Sequence, residues 1–165
     1  MCSSDLFPSH DRSGIVLYDG KDLKLSKTKG KVSDLEAKAE REKTTIGKIG
    51  MGHTRWATHG VPNDVNSHPH FSNSGKLVII HNGIIENYEP LKQELIKRGY
   101  TFKSDTDTEV LVNLIEEVKK KENCKLGKAV QVALNQVIGA YAIAVIDVEN
   151  PDEIIVARLG SPLSR

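Results

Sequence analysis

The sequence predicts an α+β domain with largely antiparallel pairing. Strand-like apolar runs cluster on both sides of a block of amphipathic stretches, and successive strand-like runs are joined by short connections. No regular strand and helix alternation repeats along the chain, as βαβ units would require. At 165 residues the chain fits one domain and can bury a core of its own.

The elements follow in order. SGIVLYDG, from Ser13 to Gly20, reads as a strand ending in a turn, and LKLSKTKGK alternates apolar and polar residues, so the two predict a hairpin. In KVSDLEAKAEREKT, Ser33 stands three residues before Glu36, the spacing of a capping box that starts a short helix. TIGKIGMGHTRWATHG is apolar with closely spaced glycines, and KLVIIHNGII is a continuous apolar run suited to a buried strand. YEPLKQELIKRGY places Pro90 at a helix start and Gly99 at its end. SDTDTEVLVNLIEEVKKKEN offers Thr106 and Glu109 as a second capping box, with Val110, Leu111, Leu114, Ile115 and Val118 on one face. LGKAVQVALNQV is a third helix, and GAYAIAVIDV and EIIVARLG are two strands joined by the turn-forming ENPD.

Composition narrows the function. Lys and Arg number 23 against 22 Asp and Glu, which leaves no electrostatic reason to expect nucleic acid or an acidic membrane as partner. A small-molecule partner is expected. The only cysteines, Cys2 and Cys124, are too few for a disulfide framework and are not spaced as a zinc knuckle, which points to a reducing compartment. No apolar run approaches a membrane span and the N-terminus lacks a signal-peptide pattern, so a cytoplasmic protein is expected.

Three stretches carry chemistry. In GHTRWATHG, residues 52–60, Arg55 offers a rigid fork of donors that can hold a carboxylate bidentately, or it pairs with a surface acid. In HNGIIEN, Asn82 supplies an amide beside the unobstructed backbone N–H of Gly83, as a two-donor oxyanion hole requires; Asn-Gly is equally the commonest hairpin turn. SDTDTE puts Asp105 and Asp107 at the first turn of a helix, where carboxylates cap or face the dipole, or could receive a substrate ammonium. His53, His59, His68, His70 and His81 fall close together, which raises a metal site built on HPH at 68–70. Pro69 fixes the backbone between two of them, there is no helical i, i+4 pair, and no acidic ligand recurs nearby, so no metal and no cofactor is expected. Trp56 and Tyr141 read as core or pocket-wall aromatics.

Taken together, GHTRWATHG, VNSHPH, HNGIIENYEPLK, SDTDTEV and ARLGSPL stand in the order found in the glutaminase domain of the glutamine-fructose-6-phosphate aminotransferase family, which the chain resembles from Ser13 to Leu163. The resemblance implies a four-layer αββα sandwich of the N-terminal-nucleophile hydrolase type, and hydrolysis of glutamine to glutamate with ammonia passed to a sugar-phosphate isomerase domain. At the matched positions Arg55 would hold the α-carboxylate, Asp107 the α-ammonium, and Asn82 with Gly83 the oxyanion. Trp56, Thr58 and His59 would belong to a loop closing over glutamine. The family's nucleophile is an N-terminal Cys exposed by removal of Met, which makes Cys2 the candidate, and the full-length family forms homodimers.

The segment CSSDLFPSHDR does not resemble the family's apolar opening strand. Residues 1 to about 12 are therefore expected to be a non-native segment, with part of the first strand-helix unit missing and residues 13–165 an incomplete amidotransferase domain whose sugar-isomerase domains are absent. A fragment that binds glutamine or glutamate without turnover is the alternative expectation.

Overall fold

The structure, a computed structural model, describes residues 12–29, 32–55 and 65–160, with Arg12 and Arg55 described in their backbone alone. Cys2, Trp56, Thr58 and His59 lie outside the described residues, as does the N-terminal segment that precedes Arg12. The chain divides into two compact units, the first ending at His68 and the second starting at Pro69.

In the first unit β1 (Arg12–Tyr18), β2 (Leu23–Lys29) and β3 (Ile49–Arg55) form an antiparallel sheet in the order β2-β1-β3. The expected hairpin is present. Its turn is held by Asp19, whose Oδ1 accepts the N–H groups of Lys21 and Asp22 at 2.9 Å each, an Asx-turn of the kind short acidic side chains favour. Helix α1 (Val32–Arg41) lies against β1 and β2 and buries Leu35 and Ala39. Ser33 is already inside this helix, one residue after its start, so it is not the N-cap that the spacing predicts.

The second unit has an antiparallel sheet in the order β4-β5-β6-β7, made of β4 (His70–Phe71), β5 (Leu77–Ile85), β6 (Gly139–Asp147) and β7 (Asn150–Leu159). Helices α2 (Tyr88–Lys97), α3 (Asp107–Glu122) and α4 (Leu126–Leu134) complete it. The predicted apolar face of α3 is buried at all five positions and packs in one cluster with Leu77, Ile79, Leu95 and Ile143. Burial of that face, at roughly 1.5–3 kcal/mol for a Leu or Ile side chain, is what fixes the helix to the sheet.

Three local expectations shift. Pro90 is the third residue of α2, still within the turn whose N–H groups need no intrahelical acceptor, and Gly99 follows the Arg98 cap at φ 91°. The connection between β6 and β7 is tighter than ENPD suggests, because Asn150 already pairs with Asp147 and the strand runs through Pro151. Asp105 precedes the Thr106 N-cap and so stands outside the helix, whereas Asp107 is its first residue.

Candidate functional site

Strand β5 changes character along its length. Leu77, Val78, Ile79 and His81 are buried, then Asn82, Gly83 and Ile84 are exposed before Ile85 is buried again. The Asn-Gly pair is therefore not a hairpin turn: Asn82 pairs with Ala142 and Gly83 with Tyr141 in β6. Glycine is demanded here by geometry, since Gly83 has φ 129° and a Cβ would lie 2.1 Å from the carbonyl oxygen of Ala140. The result is an amide side chain and a bare backbone, presented at an open part of the strand on a rigid ladder.

Asp107 is tied to the same strand. Strand β4 pairs with β5 only at Val78 and Ile79, which leaves the Ile85 N–H in need of another acceptor. Asp107 supplies it, accepting from the Ile85 N–H through Oδ2 at 2.8 Å. The carboxylate is buried, 3% exposed, and sits at the helix N-terminus where the peptide dipoles favour negative charge. It is placed two residues beyond Gly83.

The N-terminus of α3 is held from several sides. Thr106 caps it by accepting the Glu109 N–H at 3.3 Å. Glu109 does not close the predicted box by reaching back to the cap. Its carboxylate goes further, accepting the N–H groups of Lys103 and Ser104 at 3.0 and 2.7 Å and the Ser104 hydroxyl at 2.6 Å, so it fixes the loop before the helix. Two buried imidazoles meet the threonines on either side of Asp107. His70 Nε2 is 3.3 Å from Thr106 Oγ1, and His81 Nδ1 is 3.0 Å from Thr108 Oγ1. Burial, followed by the Glu89 carboxylate and then Asp107 and Asp105, pushes the Tyr88 phenol above its ordinary value.

The histidines considered as metal ligands thus have other neighbours. His68 stacks on His53 with ring centroids 4.5 Å apart, while His70 and His81 face hydroxyls. Among the described residues no group of three His, Cys, Asp or Glu side chains converges as a metal site, and no helix is long and apolar enough to cross a membrane. Arg55 ends β3, opposite Arg12 of β1. A cleft of about 620 Å³ in the second unit, walled by Asn73, Lys76, Arg98, Lys119 and Cys124, includes none of Asn82, Gly83 and Asp107.

Asn87 is a residue that sequence reasoning passed over. It is the N-cap of α2 by position, yet its side chain donates to the Gln136 carbonyl and accepts from the Ile138 N–H, both at 2.8 Å, bracing the entry to β6 opposite the exposed part of β5. An Asn before a helix signals only a cap, so nothing local distinguishes this use.

Comparison with known proteins shows the family to which the chain belongs. A family model described as a glutamine amidotransferase domain matches residues 36–161. The chain is 56% identical over 158 residues to the glutamine–fructose-6-phosphate aminotransferase [isomerizing] of Bacteroides thetaiotaomicron, covering 95% of this chain and 26% of that protein. It is 49% identical over 160 residues to the enzyme of the same name from Chlorobaculum tepidum, again covering 95% and 26%. The chain therefore spans about a quarter of the length of these relatives. Among solved structures it is similar to the glutamine phosphoribosylpyrophosphate amidotransferase of B. subtilis, with TM-score 0.74 and 32% identity over 91% of this chain and 31% of that one. The α+β fold, with its two antiparallel sheets, is of the N-terminal-nucleophile hydrolase type.

Proposed function

We propose, because this chain belongs to the glutamine amidotransferase domain family, that it binds glutamine and hydrolyses the side-chain amide to glutamate and ammonia. The acceptor in this reading is fructose 6-phosphate, so that the chain is the nitrogen-donor half of glucosamine 6-phosphate synthesis. The observation that carries the proposal is the juxtaposition on one unit of an exposed Asn82-Gly83 pair within β5 and a buried Asp107 carboxylate bonded to that same strand.

Arg55 takes the α-carboxylate of glutamine as a bidentate partner and Asp107 takes the α-ammonium. The amide carbonyl then lies between the Asn82 side-chain N–H and the Gly83 backbone N–H, donors suited to the negative charge that develops on its oxygen. Cys2, after loss of Met1, is the nucleophile. Its own α-amine titrates near pH 8, so a useful fraction is neutral at cellular pH and takes the thiol proton. The thiolate attacks the amide carbon, the tetrahedral oxyanion collapses to a thioester as the protonated nitrogen leaves as ammonia, and water then cleaves the thioester to glutamate and the free thiol. Trp56, Thr58 and His59 belong to the loop that closes over the bound glutamine. No cofactor enters any step.

Ammonia is consumed by a sugar-phosphate isomerase domain, which fits relatives about four times as long as this chain, and the reading places a homodimer in the cytoplasm. The test is the intact mass of the purified chain before and after a diazo-ketone analogue of glutamine. One adduct, mapped to Cys2 of a Met-free chain and absent from Cys124, is expected. A folded, Met-free chain that binds glutamate but takes no adduct would make this a binding fragment instead.

A further inference from the structure

Two buried side chains that the proposed chemistry does not use, His81 and Thr108, form a line with Asp107 in the second unit. His81, next to Asn82 in β5, has Nδ1 at 3.0 Å from Thr108 Oγ1. The Thr108 hydroxyl lies 3.4 Å from Asp107 Oδ1, and the ring nitrogen is 3.9 Å from Asp107 Oδ2. Thr108 is 1% exposed, His81 4% and Asp107 3%, so bulk water does not compete for these contacts.

We infer that His81 and Thr108 are positioning residues that set the Asp107 carboxylate for an α-ammonium group, and so determine specificity for an amino acid over its des-amino analogue. This inference rests on the reading of Asp107 as the ammonium-binding group. In this reading the donors run in one direction, the His81 Nδ1–H to Thr108 Oγ1 and the Thr108 O–H to Asp107 Oδ1, across separations of 3.0 and 3.4 Å. The Ile85 N–H holds the other oxygen, Oδ2. A donor facing each oxygen favours one setting of the carboxylate about its Cβ–Cγ bond, held chiefly by the 2.8 Å bond from Ile85 and assisted by the weaker 3.4 Å contact from Thr108. A carboxylate already oriented loses less side-chain freedom when a cation docks, and the gain falls only on ligands that carry the cation.

The strand gives this arrangement a second consequence. His81 and Asn82 are neighbours in β5 and point to opposite faces, so the oxyanion amide and the support of the ammonium site share one backbone segment. A change at His81 therefore moves two subsites whereas a change at Thr108 moves one, which makes Thr108 the cleaner probe.

The test is titration of the full chain with L-glutamate and with glutarate, which lacks the α-amino group, for wild type, Thr108→Val and Thr108→Ser. Wild type is expected to prefer glutamate by about tenfold or more, as an ammonium paired to a buried carboxylate is worth about 1.4 kcal/mol or more. Thr108→Val should lose most of that preference with glutarate affinity within about twofold, and Thr108→Ser should restore it. A folded Thr108→Val chain with the preference intact overturns the inference. Wild type that does not distinguish the two ligands overturns the reading of Asp107 itself. Should Thr108→Val not fold, the ring nitrogen shifts of His81 in wild type decide: a protonated Nδ1 is expected, and a bare Nδ1 reverses the donor chain and overturns it.

Discussion

The backbone N–H of Ile85 donates to Oδ2 of Asp107 at 2.8 Å, and through this one bond the N-terminus of α3 occupies a place on the edge of β5 that β4 is too short to fill. A carboxylate that completes a sheet edge is held more firmly than a helix cap alone would hold it.

The bond separates two roles of Asp107. Asp107→Asn retains an oxygen to accept the Ile85 N–H, so thermal stability should change little while affinity for L-glutamate falls by at least about tenfold, the loss of a charge-assisted pair. Asp107→Ala orphans a buried N–H and should cost about 1–3 kcal/mol of stability as well. Denaturant melts of the two variants beside glutamate titrations check both outcomes.

Gly83→Ala should destabilise the second unit by roughly 2–4 kcal/mol, since the new Cβ meets the Ala140 carbonyl oxygen and the backbone must leave a left-handed φ. The loss is expected in the melt before any loss of binding is considered. An unchanged midpoint would mean that β5 and β6 can part here without cost.

Glu109→Ala removes the acceptor for two loop N–H groups and the Ser104 hydroxyl in a buried setting. A destabilisation of about 2–4 kcal/mol is expected. Thr106→Ala removes the cap bond together with the contacts of its hydroxyl to Ser104 Oγ and His70 Nε2, and should cost about 1–3 kcal/mol. A Glu109→Ala midpoint equal to that of wild type would mean that residues 103 and 104 need no such brace.

An acid limb comes from the β6–β7 turn. Hydrogen bonds from Lys119 and then Lys76 lower the Glu149 carboxyl to about 2 from an ordinary 4.5. Its contribution is therefore present above about pH 4.5 and disappears as pH falls through about 2. Because the side chain is about half exposed, water screens the pair and the effect stays below about 1 kcal/mol. Urea melts of wild type and Glu149→Gln between pH 6 and 3 should converge toward the acid end, and a gap independent of pH would exclude this origin.

The α+β class, the buried face of α3, the Thr106 cap, the β1–β2 hairpin and the order of motifs that marks the family are all legible in the amino-acid sequence. These rest on residues within a few positions of each other, where periodicity and capping act. Long-range pairing alone decided that Asn82 and Gly83 lie within a strand, because the partners that rule out a turn, Ala142 and Tyr141, come from far along the chain. It likewise decided that Asp107 serves β5, that Glu109 braces residues 103 and 104, and that His70 and His81 face threonines rather than one another. A buried polar group must find a partner wherever the packed elements bring one, and which one arrives is set by the pairing of distant strands, not by spacing along the chain.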